Sequence, residues 1–161
     1  MLYSIRKGDK MINVVFICYG NICRSPMAEM IFKDLIYKNN KRYKMYCSSR
    51  GTSFEETGND IYPEAKEVLK KHNINIESHQ AKRFEKTDYN KFTHIIVMEE
   101  KNQKELLQII GSDPENKIYR LIEKDIEDPW YTGQFEKVFN EINEGCIKLF
   151  NYLKNEIPDN E

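Results

Sequence analysis

The chain has 161 residues, enough for one packed domain and short for two. With 40% hydrophobic and 32% charged residues it reads as globular, and a formal net charge of −1 argues against bulk nucleic-acid binding while leaving room for a small anion site. No run approaches the roughly 20 apolar residues of a membrane span, and MLYSIRKGDK at the start lacks the apolar stretch of a secretory signal, so a cytoplasmic protein is expected.

Residues 1–10 fall outside any periodic pattern and are read as an N-terminal extension, with 11–157 as a single domain. Asn13–Cys18 (NVVFIC) is a short β-branched run, as for a strand buried on both faces. Pro26–Tyr37 has Met27, Met30, Ile31 and Ile36 at helical spacing, its proline in the first turn where the missing N–H costs little. Tyr43–Ser48 reads as a second strand and Tyr62–His72 as a helix. His94–Met98 follows as a third strand, then a helix over Glu99–Ile110 stopped by Gly111, and a fourth strand over Lys117–Ile122. Phe135–Leu153 closes as a long amphipathic helix, with Val138, Phe139, Ile142, Cys146, Leu149 and Phe150 on its apolar stripe. This alternation predicts an α/β fold: a doubly wound, four-stranded parallel sheet with helices on both faces. Ligands of such folds bind at the carboxyl ends of strands, and Cys18 ends the first one.

Cys18 opens C-x5-R-S (Cys18, Tyr19, Gly20, Asn21, Ile22, Cys23, Arg24, Ser25) between strand and helix. Backbone amides curling over Tyr19 to Ser25, with a helix N-terminus behind them, make a cradle for a tetrahedral oxyanion. Gly20 and Asn21 are the residue types that most readily accept the left-handed backbone such a curl needs. Arg24 offers a planar fork for two phosphate oxygens. Beside that cation and the helix N-terminus the thiolate of Cys18 is favoured, and a thiolate under a phosphate is an in-line nucleophile. The Ser25 hydroxyl can donate to that sulfur. The nucleotide-binding pattern G-x-x-x-x-G-K-[ST] is absent. A core cysteine with a surface arginine is the alternative reading, and it leaves Gly20, Asn21 and Arg24 without a common purpose.

Four cysteines (Cys18, Cys23, Cys47, Cys146) do not make a disulfide scaffold, and neither their spacing nor the scattered histidines suit zinc, so no metal or cofactor is expected. Ester cleavage also needs an acid for the leaving oxygen. Asp128 in EDPWYTG is the candidate, on a turn after the fourth strand and so on the rim that carries Cys18. Trp130 and Tyr131 beside it would wall a slot for a flat aromatic leaving group, with core packing as the other reading of both.

VVFICYGNICRSPMAE, SSRGTS, GNDIYPEA, SHQAKRF, VMEEKN, DPWYTG and FEKVF, in this order from about Ile12 to Leu153, resemble the low-molecular-weight protein tyrosine phosphatases. The resemblance implies Cys18 as nucleophile through a phosphocysteine intermediate, Arg24 as phosphate clamp and Asp128 as acid and base. It implies phosphotyrosine proteins or peptides as partners, and a monomer or weak homodimer. Asn21, Ser49 and His79 look like the hydrogen-bonded support of the loop, together with Ser25. Cys23 looks like a trap that turns oxidised Cys18 into a reversible disulfide, with packing as its plain alternative. Where many relatives place an aromatic on the far wall, this chain has Phe54-Glu55-Glu56, with Glu55 aligned to the wall and Phe54 beside it in the slot. A carboxylate there would weaken binding of acidic phosphopeptides. Glu99 stands where many relatives have Asp and is given no catalytic role. Two rivals share the loop. A phosphoarginine phosphatase would carry threonine where Ile22 sits, and a thioredoxin-coupled arsenate reductase would need a resolving cysteine pair that Cys47 and Cys146 do not offer.

Overall fold

The structure, a computed structural model, describes residues 11–157. The reading of residues 1–10 as an extension therefore lies outside the described residues. Four strands, β1 (Ile12–Cys18), β2 (Met45–Gly51), β3 (His94–Val97) and β4 (Ile118–Arg120), form one parallel sheet in the order β2-β1-β3-β4. Five helices connect or close them: α1 (Arg24–Lys38), α2 (Pro63–Lys71), α3 (Glu100–Ile110), the short α4 (Pro129–Thr132) and α5 (Phe135–Lys154). A 3₁₀ turn covers Lys86–Lys91.

β1 is the strand that organises the molecule. Val14, Phe16 and Cys18 join the core shared with α1 and α5, whereas Val15 and Ile17 join a second core with Phe84, Phe92, Leu106 and Ile110. Successive side chains of a strand point to opposite faces, so one apolar run feeds both layers. Phe16, Phe32 and Phe150 meet edge to face at 5.4 and 5.9 Å between centroids, pinning α1 and α5 to the sheet. Gly145 lets α5 lie against the chain after β4, because a Cβ there would stand 2.6 Å from Leu121 Cγ.

The chain leaves β1 first toward β2 on one side and later places β3 on the other. That reversal makes the carboxyl end of β1 a topological switch point, the place where open α/β sheets hold ligands.

Three elements differ from the sequence reading by two or more residues at an end. β2 starts two residues later than Tyr43, after a turn in which Met45 N–H donates to Lys41 C=O, and it runs on to Gly51 instead of stopping at Ser48. The polar SSRG tail stays in the ladder because it pairs with β1 as far as Cys18 opposite Gly51. α1 begins at Arg24, two residues before Pro26, and β4 has three residues in place of the six over Lys117–Ile122. Leu121 N–H still donates to the Val97 carbonyl at 3.0 Å, and from there the chain turns away so that Leu121 and Ile122 pack against Gly145 of α5.

Candidate active site

The site is built where β1 becomes α1. Cys18 and Arg24 are almost wholly buried, 3% and 2% exposed. Cys18 Sγ lies 3.0 Å from Ser25 Oγ and 3.2 Å from the amide nitrogen of Asn21, which points its N–H at the sulfur. Asn21 takes the left-handed backbone (φ 61°) expected of it. Gly20 does not: among the described residues the glycines at positive φ are Gly58, Gly111 and Gly133. Cys23 is the N-cap of α1 and provides no side-chain cap, so the first-turn amides keep their donors for another acceptor.

A network under the loop holds this shape. Asn21 Nδ2 donates to Ser25 Oγ at 2.8 Å and to Ser49 Oγ at 2.9 Å, and Asn21 Oδ1 accepts from the amide of Lys82 at 3.0 Å. His79 Nε2–H donates to the Asn21 carbonyl at 2.7 Å. Asn21, Ser25, Ser49 and His79 are thus brought together. Glu29, which the sequence reading passed over, completes the network: its Oε1 accepts from Ser49 Oγ at 2.6 Å and Lys33 Nζ holds its other oxygen at 2.6 Å. Glu29 sits one helical turn after Ser25, a spacing that does not by itself set it apart from any other helical acid.

The glycine that the loop needs for space is Gly51, at the end of β2. A Cβ there would stand 2.7 Å from the Tyr19 carbonyl oxygen. Thr52 N–H, next in the chain, bonds the carbonyl of Cys18 at 3.0 Å, and Ser53 N–H that of Tyr19 at 3.1 Å, so the strand end seats the loop.

Arg24 is held from behind. Its Nη1 donates to Glu99 Oε2 and to the Ile126 carbonyl, the latter at 2.9 Å, and its Nη2 lies 3.5 Å from Asp128 Oδ2. Burial alone would lower the pKa of the guanidinium, but Cys18, Asp128 and Glu99 together raise it. Glu99 is also the N-cap of α3 and forms a capping box with Asn102, which fixes the carboxylate that faces Arg24. Asp128 caps α4, accepting from Trp130 N–H at 3.1 Å through Oδ1, so Oδ2 is the oxygen turned to Arg24.

These groups share a cleft of about 90 Å³ lined by Cys18, Tyr19, Gly20, Ile22, Cys23, Arg24, Glu55, Glu56, Asp128, Trp130 and Tyr131. Cofactor sites are several times larger, so the cleft suits a single oxyanion head and part of a ring. Trp130 and Tyr131 are exposed at its mouth and meet edge to face at 4.9 Å, which decides against core packing. Phe54 does not line the cleft. It is exposed, with the Arg83 guanidinium 4.3 Å above its ring, on a neighbouring surface with Thr52 and Glu105. Glu56 takes a place that the sequence reading did not give it. Burial pushes the Cys23 thiol pKa well up, with Cys18 and Asp128 adding to the effect. Cys146 is buried in α5 and Cys47 half-buried in β2. Among the described residues no three His, Cys, Asp or Glu side chains gather as a metal shell would, and no helix is long and apolar enough to cross a membrane.

Residues 13–159 match the low molecular weight phosphotyrosine protein phosphatase family. The chain belongs to this family. It is 35% identical over 153 residues to the low molecular weight protein-tyrosine-phosphatase YfkJ of Bacillus subtilis, covering 91% of this chain and 98% of the relative. The crystal structure of YfkJ superposes with a TM-score of 0.87 at 36% identity, over 91% of this chain and 97% of that one. SP-PTP, the low molecular weight protein tyrosine phosphatase of Streptococcus pyogenes, gives 0.82 at 37% identity, over 89% and 93%. DARP, a Drosophila arginine phosphatase, has the same fold, with a TM-score of 0.79 at 29% identity over 88% and 97%.

Proposed function

We propose that the protein hydrolyses phosphotyrosine in proteins or peptides through a phosphocysteine intermediate, as a single catalytic domain over residues 11–157. The observation that carries this reading is the Cys18 sulfur, with Ser25 Oγ and the Asn21 amide in contact, in the cleft that Arg24 and Asp128 share.

In the first step the Cys18 sulfur donates an electron pair to phosphorus in line with the leaving oxygen. The S–P bond forms as the P–O(aryl) bond breaks. Asp128 gives its proton to the departing phenolate oxygen, and tyrosine leaves. Arg24 and the loop amides bind the three equatorial oxygens, where charge concentrates in the transition state. In the second step Asp128, now a carboxylate, takes a proton from a water that attacks phosphorus. The S–P bond breaks, phosphate is released and the Cys18 thiolate returns. Ser25 and the Asn21 amide stabilise that sulfur as attacker and as leaving group.

Trp130 and Tyr131 supply flat walls for the aryl group. Ile22 offers an apolar wall, where a guanidinium leaving group would be better served by a hydroxyl, and this favours phosphotyrosine over phosphoarginine. We propose a cytoplasmic enzyme that is a monomer or a weak homodimer, as the resemblance to the family implies.

Parallel assays on phosphotyrosine and phosphoarginine peptides test the choice; a higher kcat/KM on phosphoarginine overturns it. Asp128→Ala should lower kcat/KM, which reports the first step alone, by about 10²–10⁴-fold for alkyl phosphates with poor leaving groups and by much less for aryl phosphates with good ones. An equal loss for good and poor leaving groups would remove Asp128 as the acid.

A further inference from the structure

The phosphate-binding cleft carries two carboxylates that the chemistry above does not use. Glu55 and Glu56 line it together with Cys18 and Arg24. Neutral donors hold both. Tyr19 Oη–H donates to Glu55 Oε1 at 2.8 Å, and Asn59 Nδ2 donates to Glu56 Oε1 at 2.8 Å. The Glu55 amide is tied in turn to Ser53 Oγ at 3.0 Å. Neither glutamate forms an ion pair among the described residues.

The cations around the mouth are engaged elsewhere. Lys66 pairs with Asp60, Lys137 with Glu127 and Arg120 with Asp125, while Arg83 stacks on Phe54. Lys101 lies over the Tyr19 ring, 5.8 Å from its centroid, and pairs with neither glutamate. Arg24 pairs with Glu99, which lies outside the cleft lining, and with Asp128, which lines it.

A phosphate monoester near neutral pH carries close to two negative charges, so it enters past two fixed carboxylates of the same sign. Arg24 and the loop amides neutralise the phosphoryl group itself. Among the described residues no lysine or arginine forms an ion pair with either glutamate. We infer that Glu55 and Glu56 select phosphotyrosine segments with lysine or arginine beside the phosphotyrosine, the substrate supplying the missing cation. Tyr19, Trp130 and Tyr131 present aromatic faces on the same rim, which a guanidinium or ammonium can use. The inference rests on the phosphotyrosine reading and sharpens it into a substrate class.

The test is kcat/KM on three phosphotyrosine peptides of equal length, flanked by lysine and arginine, by serine and alanine, or by aspartate and glutamate. The basic peptide should exceed the acidic one by about tenfold, as two solvent-screened charge contacts allow. The ratio should shrink as salt rises from low to physiological ionic strength. In the double variant Glu55→Gln, Glu56→Gln the ratio should fall toward one, and a general loss of activity does not move that ratio. Equal rates on the three peptides with the unaltered protein overturn the inference, as does an undiminished ratio in the double variant. Turnover of none of the three overturns instead the phosphotyrosine reading beneath it.

Discussion

Gly51→Ala is the substitution that most sharply tests how the loop is seated. Gly51 has no positive φ to defend, so the change is purely one of space. The added methyl would lie 2.7 Å from the Tyr19 carbonyl oxygen, 3.2 Å from Asn21 Cβ and 3.3 Å from the Gly20 carbonyl carbon. Ordinary contact needs about 3.5 Å, so the loop must retreat by roughly 0.8 Å. None of the three obstacles is the free end of a flexible side chain. The retreat stretches the bonds from Thr52 and Ser53 N–H to the Cys18 and Tyr19 carbonyls, and moves the sulfur relative to Arg24. Misplacement of a reacting group by about 1 Å costs on the order of 10²-fold, so kcat/KM on p-nitrophenyl phosphate should fall between about 10- and 100-fold. Overpacking of this kind should also cost about 1–3 kcal/mol in urea denaturation. Gly111→Ala is the contrast. It forces alanine to φ 86° in open space, so it should cost about 1–2 kcal/mol while the folded protein keeps its kcat/KM. A folded Gly51→Ala protein with unchanged kcat/KM and unchanged inhibition by phosphate would refute the claim that β2 sets the loop.

Three further outcomes are expected. Glu99→Gln removes the charge that holds Arg24 Nη1 and should weaken inhibition by inorganic phosphate about 10-fold or more, as the loss of a charged hydrogen bond implies. Asp113 is pushed up by burial, yet the Tyr89 hydroxyl and the amides of Lys117 and Ile118 bring its carboxyl below the usual range. Its stabilisation is therefore present above the unfolded carboxylate range and is lost as pH falls through the folded value. Asp113→Asn should flatten the acid limb of stability against pH, measured by urea denaturation at stepped pH. Cys23→Ser should leave peroxide-treated enzyme unrescued by dithiothreitol, where the unaltered enzyme recovers; full recovery of the variant would leave Cys23 a packing residue.

The fold was legible because β1 is short, apolar and β-branched, and because its neighbours alternate with helices of strong period. β2 was harder. Its SSRG end looks like a loop by composition, yet its side chains and backbone serve the site: Ser49 bonds Asn21, and Gly51 gives the loop room. Sequence pattern marks such residues as polar punctuation; only the pairing of β2 with β1 reveals them as a strand. Cys18, Arg24 and Asp128 could be picked out because each is a reactive type placed at the strand rim. Glu29 and Glu99 could not, since an acid inside a helix or at its start already has a sufficient local reason. What they bind lies 20 and 75 residues away, at Ser49 and Arg24. Phe54 was expected in the slot beside Glu55, but the turn after Ser53 brings Glu55 and Glu56 to the cleft and leaves Phe54 against Arg83.

The central claim is that one sulfur carries the phosphoryl group. Rapid acid quench of the Asp128→Ala enzyme with p-nitrophenyl phosphate, whose leaving group departs without help, followed by peptide mass mapping, reads this directly. The account predicts one added phosphoryl group on the peptide containing Cys18, and none in the enzyme that also carries Cys18→Ser. A phosphoryl group on any other residue, or turnover retained by Cys18→Ser, would contradict it.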